Sequence, residues 1–279
     1  TAMLWSLTDK PSMLPDGALA TDGLASTLAR GGRLGSIVAS GVGAPVSWLI
    51  DPDLVDTALD MADGYIVQAA PGSPAQTPLQ GTGQAAATAW LAALDAVLAG
   101  EPFVGALPVA DADLVAAVRH GGADSNVVGP AIAPAESLAT TLSRVPKQSG
   151  PRGAVVSTGL VAPAGGAIDE ATAEAVAAAG GSTLVLGAST IEDRPDGFTA
   201  TLVTGRRTLD VVVTDPVVDA ALAAAAAPGE EVQARQRLVS ATAIHAITAA
   251  DEGSAPVPLV GQAARLWSPT PVGLDAVLR

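Results

Sequence analysis

The chain has 279 residues, 49% of them hydrophobic and only 3% aromatic, with 30 glycines, 21 prolines and no cysteine. Its formal charge of −14 argues against nucleic acid, whose binders need clustered Lys and Arg, and against docking on anionic lipid. The missing cysteines exclude disulfides and thiolate metal sites, and the scarce aromatics leave a core built from Ala, Val, Leu and Ile.

Along the chain, short Val/Leu/Ile runs with little polar alternation recur, as expected of parallel strands covered on both faces. Strands are expected at residues 3–7, 45–50, 103–107, 153–157, 182–186, 209–214 and 256–260. Between them, helical patterns occupy 32–40, 53–62, 84–98, 112–118, 135–142, 169–179, 230–249 and 272–278. The Pro/Gly/Gln-rich stretch 70–83 and the stretch 121–134 read as loops over one face. Residues 198–203 could form an eighth strand, but Gly197 and Gly205-Arg206-Arg207 around them favour a hairpin arm. No glycine-rich dinucleotide fingerprint or phosphate loop follows any strand, so nucleotide-binding open sheets lose their usual support. The pattern predicts an α/β fold: a single (β/α)7 TIM-like barrel over residues 1–279, with parallel strands and outer helices. Thr1-Ala2-Met3 leads directly into the first strand, as in a trimmed mature domain, so flanking segments are expected outside this stretch.

Three apolar runs end in an aspartate and pass straight into a helical pattern: Asp51-Pro52, Asp111-Ala112-Asp113 and Asp215-Pro216. The C-terminal strand end is where α/β proteins place their chemistry. It is also where a helix wants an N-cap with Pro behind it, and Asp51-Pro52 and Asp215-Pro216 fit that role. Asp111 and Asp113, not followed by Pro, are the better candidates for a carboxylate pair with Asp51. Trp5, Trp48 and Trp267 fall on or beside strands that a barrel makes neighbours; Trp5 and Trp267, with Asp215, are candidate ligand contacts at the mouth, whereas Trp48 and Trp90 read as core. His120 and His245 stand alone with no His-x-x-x-His pair, so no metal or other cofactor is expected.

Several stretches together resemble an uncharacterised actinobacterial family of secreted, membrane-anchored proteins encoded beside the lipid II flippase of peptidoglycan synthesis. They are Leu4-Trp5-Ser6-Leu7-Thr8-Asp9-Lys10-Pro11, Gly31-Gly32-Arg33-Leu34, residues 46–52, Ala106-Leu107-Pro108 with Asp111-Ala112-Asp113, Gln236-Arg237-Leu238 and Ala264-Arg265-Leu266-Trp267-Ser268-Pro269. The resemblance implies an extracytoplasmic domain of a longer protein whose membrane anchor lies outside this stretch. It also implies a role in peptidoglycan or cell-wall biogenesis, with a cell-wall glycan or an envelope membrane protein (the lipid II flippase) as partner. It implies no known reaction.

The barrel plan is also similar to that of polysaccharide deacetylases and some glycosidases. The deacetylases' Asp and paired-His metal set is missing here, and Val109 stands where the envelope family has an aromatic residue. Residues 161–166 lack that family's Trp-Pro and acidic residue. These departures, with Gly/Ala-rich loops, favour a non-catalytic barrel that binds a glycan or a partner protein. The alternatives are a glycoside hydrolase-like enzyme using Asp51 with Asp111 or Asp113, and a protein scaffold with no ligand.

Overall fold

The computed structural model describes residues 2–68, 78–101, 103–121, 128–132, 134–146, 155–157, 159–192 and 197–279. The first half runs β1 (Ala2–Leu7), α1 (Gly23–Leu28), α2 (Arg33–Ser40), β2 (Val46–Ile50), α3 (Pro52–Asp63), a small hairpin of β3 (Ile66–Val67) and β4 (Leu79–Gln80), then α4 (Gln84–Leu98) and β5 (Phe103–Ala106). Then come α5 (Leu114–Gly121), α6 (Val128–Ile132), α7 (Pro134–Arg144), β6 (Val155–Ser157), β7 (Leu160–Val161), α8 (Glu170–Ala178) and β8 (Thr183–Gly187). The chain ends with β9 (Thr199–Thr204), β10 (Arg207–Thr214), α9 (Pro216–Ala225), α10 (Glu231–Asp251), β11 (Val260–Gln262) and α11 (Pro271–Leu278).

Strand ladders make two main sheets. One is all parallel in the order β11-β1-β2-β5-β6; the other, β7-β8-β10-β9, is parallel except for β9. The expected hairpin arm is therefore real: β9 folds back on β10 across Gly205, whose φ of 56° suits a tight two-residue turn. Gly159, at φ 79°, carries the chain from β6 in the first sheet to β7 in the second. At the opposite side the Asp215 N–H, just past β10, donates to the Val260 carbonyl of β11 at 2.6 Å. The fold is thus α/β with parallel strands and covering helices, but the ladders of the described residues form two sheets and not one closed ring. The loop expected at 121–134 is partly replaced by α6, and residues 70–77, 122–127, 133 and 153–154 of the expected loops and strand lie outside the described residues.

Alternation along β1 sorts its side chains. Met3, Trp5 and Leu7 join the large core shared with Leu28, Ile37, Val55, Leu91 and Leu94 of the helices. Leu4, on the other face, packs with Leu49, Leu107, Leu160, Ala162, Val185 and Val212, a cluster drawn from both sheets. A third core lies under the second sheet, where Val176 of α8 meets Leu184, Leu209 and Val211. Because Trp5 pairs directly with Trp48 in the β1–β2 ladder, the two rings share the helix-facing side and meet edge-on at 5.8 Å. Trp267 packs on Trp5 at 5.2 Å. No helix among the described residues is long and apolar enough to cross a membrane.

Candidate functional site

The C-terminal ends of β1, β2, β5, β7 and β11 converge around one buried cation. Arg265 lies just beyond β11, its side chain only 15% exposed. Its guanidinium donates to the Ser6 hydroxyl of β1 at 3.1 Å and to the Ala162 carbonyl just past β7. It forms an ion pair with Asp111, Nε to Oδ1, at 3.0 Å. One side chain thus joins the first sheet, the second sheet and the loop after β5. Burial lowers the Arg265 pKa from its ordinary value, and the carboxylates of Asp111 and Asp51 oppose that shift.

Asp51 ends β2 and is 1% exposed. Pro52 occupies the first turn of α3, and the Asp51 carboxylate accepts from the Asp53 N–H at 3.0 Å, which is N-capping geometry. The same oxygen accepts from the Ala110 N–H at 3.0 Å, and the Thr8 hydroxyl donates to the other at 3.3 Å. Burial raises its pKa to about 7, with the neighbouring charge of Asp53 adding and the N–H donors opposing.

The Asp51–Ala110 bond fixes an unusual turn. Ala110 and Asp111 have φ of 55° and 46°, and Leu266, next to Arg265, has φ of 54°. Left-handed backbone costs a non-glycine residue about 1–2 kcal/mol, so both ends of the Arg265–Asp111 pair sit on strained backbone. Such strain persists where surrounding contacts over-determine the geometry, and it clusters at functional sites. Burial also raises the pKa of Asp111, against the lowering effect of Arg265.

Beside this brace a cleft of about 400 Å³ opens between the loops after β7, β8 and β11 and the start of α9. Its polar lining includes Ser189, Thr214, Asp219, Gln262 and Arg265. Asp219 is anchored by the Thr214 hydroxyl at 2.6 Å and the Gln262 N–H at 2.7 Å, and burial raises its pKa.

The expected residues are therefore divided. Asp51 and Asp111 do meet at one mouth, through the Ala110 turn and Arg265. Asp113 is exposed and caps α5, accepting from the Ala116 N–H at 2.9 Å. Asp215 caps α9, accepting from Val217 and Val218 N–H at 2.9 and 3.1 Å, and lines a separate groove beside α10. Trp5 and Trp267 are 0% and 4% exposed, and Trp267 donates its indole N–H to the Leu222 carbonyl at 2.7 Å. The expected ring platform at the mouth is absent: strand alternation turns Trp5 toward the helices, and Trp267, in the loop past β11, packs against it on that side.

Sequence reasoning missed Arg265, Asp219, Ser6 and Thr8 as members of the site. Two signals were available. Ser6 and Thr8 break the apolar character of one face of β1 at period two, and Asp219 follows Asp215 by one helical turn, which leads into the same strand-end region. Among the described residues no group of three or more His, Asp or Glu side chains could hold a metal ion. Comparison with known proteins adds no assignment: no family model matches the chain, and no curated protein is significantly similar to it.

Proposed function

We propose that this chain is a non-catalytic ligand-binding domain on the plan of a (β/α)7 TIM-like barrel. The barrel reading rests on the apolar cluster drawn from both sheets, on the β6–Gly159–β7 run that joins them, and on the Asp215–Val260 bond at the opposite seam. The binding reading rests on one contrast. The carboxylates of Asp51 and Asp111 are committed to structural bonds, while the cleft beside them is lined by the exposed Ser189 and the half-buried Gln262. A catalytic carboxylate pair needs access to a substrate; Asp51 is 1% exposed and accepts from three donors, and Asp111 is locked to Arg265.

The ligand class follows from the cleft and from the family resemblance: a cell-envelope glycan whose hydroxyls exchange hydrogen bonds with the Ser189 and Gln262 side chains beside Asp219. The domain would then be extracytoplasmic, carried on a membrane-anchored protein and working in peptidoglycan biogenesis. Titration calorimetry with soluble disaccharide-peptide fragments of peptidoglycan tests this directly. Binding should be saturable, lost in Ser189→Trp, which fills the cleft from an exposed position, and unaccompanied by cleavage of the glycan. Absence of binding refutes the ligand class, and cleavage refutes the non-catalytic reading.

One observation favours the glycoside hydrolase-like alternative: Asp51, with a pKa near 7, stands next to the turn that carries Asp111. Such a poised carboxyl suits a general acid, and its assay is the same cleavage measurement.

A further inference from the structure

The helix α10 carries an unpartnered face that fits a second copy of itself. It is 21 residues long, yet only Ala234 and Ala249 are buried. Apolar residues remain on its solvent side, with Val232 71%, Val239 56% and Ile247 61% exposed. Stacked along one helix they form an exposed apolar stripe, and contiguous exposed apolar surface marks interaction sites.

The order of residues along that face is specific. Val232, Gln236, Val239, Ala243, Ala246 and Ala250 are all exposed and recur at alternating intervals of four and three. That is the 3.5-residue period of a coiled-coil seam. Its N-terminal half is bulky and its C-terminal half is alanine. Running a second α10 antiparallel, with the two-fold axis beside residue 241, places Val232 against Ala250, Gln236 against Ala246 and Val239 against Ala243 of the other copy. Every large residue meets a small one, so two helices can approach closely without voids. A parallel partner would stack Val on Val at one end and Ala on Ala at the other.

Charge is arranged in the same sense. The exposed cation beside the seam is Arg235, near the helix start, and the exposed anions Asp251 and Glu252 stand at its end. Antiparallel pairing brings the Arg235 end of one helix to the level of the Asp251 end of the other, on opposite flanks of the seam, and sets opposite ends of the two helix dipoles together. Glu231 faces away from the seam, its carboxylate bonded to the Thr270 hydroxyl at 3.3 Å. The remaining flanking positions, Gln233, Ser240, Thr242 and Ile247, carry no charge and so set no repulsion between copies of a strongly acidic chain.

We propose that this chain self-associates through an isologous, antiparallel α10–α10 contact. Because the chain contains no cysteine, engineered cysteines report the pairing cleanly. Sedimentation velocity at high micromolar protein should give twice the monomer mass, and Ala243→Glu should return the monomer with unchanged tryptophan fluorescence. Under mild oxidation, a mixture of Val232→Cys and Ala250→Cys chains should give a cross-linked heterodimer, while either variant alone gives little. A monomer at all accessible concentrations overturns the proposal. So does efficient Val232→Cys self-cross-linking, which reports parallel pairing, or a dimer that survives Ala243→Glu.

Discussion

Replacing Asp51 by Asn tests whether its carboxylate is held at the cost of stability. Burial raises its pKa from 3.8 to about 7, so between those values the unfolded chain is ionised while the folded chain still holds the proton. Stability therefore falls as pH rises through that window, and above it the penalty is constant. A gap of roughly three pH units, at about 1.4 kcal/mol each, sets that penalty at about 4 kcal/mol. Asn keeps the oxygen that accepts from the Asp53 and Ala110 N–H groups and loses only the long 3.3 Å acceptor for Thr8. Asp51→Asn should thus gain on the parent protein by up to about 4 kcal/mol as pH rises from about 4 to 8, most of it below 7. Urea unfolding followed by tryptophan fluorescence reads this, since all four tryptophans are buried. The informative quantity is the difference between the two proteins at each pH, because Asp53, Asp111 and Asp219 also have raised pKa values and slope both curves. A difference that does not change with pH, or one that turns against Asn as pH rises, would refute the reasoning.

Arg265→Ala should cost up to about 3 kcal/mol in the same urea assay near neutral pH, because it strands the half-buried Asp111 carboxylate. Arg265→Lys should recover only part of that loss, since an ammonium cannot reach Ser6, Ala162 and Asp111 together as the planar fork does. Ala110→Gly relieves the left-handed backbone at φ 55° and should raise stability by up to about 1 kcal/mol. A loss in thermal midpoint there would show that the turn is not strained.

Much of the fold was legible because parallel strands advertise themselves as short unbroken apolar runs. All seven expected strands have a counterpart, and the hairpin arm was marked by its flanking glycines. The last strand shows the limit. It was expected over 256–260 but begins at Val260, because Pro256 and Pro258 have no N–H to give a ladder. The mouth was legible only in part. An aspartate followed by Pro announces a cap, and Asp51 and Asp215 do cap. Nothing local to Asp51, however, reveals that the same oxygen also holds Ala110, 59 positions away. Trp5 misled for a related reason: strand membership was readable, but which face looks toward helices depends on how β1 lies against β2, which pairs Trp5 with the core residue Trp48. Arg265 escaped notice because it follows its strand inside an irregular loop, where neither period applies.

Arg265 also bears on how the molecule is finished. Its hydroxyl partner Ser6 is 259 positions away, and β11, which precedes it, pairs with β1. Contacts of such sequence separation must close a very long loop before they stabilise anything. The strand-end mouth therefore cannot be completed until the chain through Arg265 has emerged. Until Arg265 arrives, Asp111 lacks its cation, and a chain cut short before it would carry that unpaired carboxylate on a strained turn. Closing the mouth thus depends on the chain having been made through Arg265, which makes the brace a late step in assembly as much as a part of the finished site.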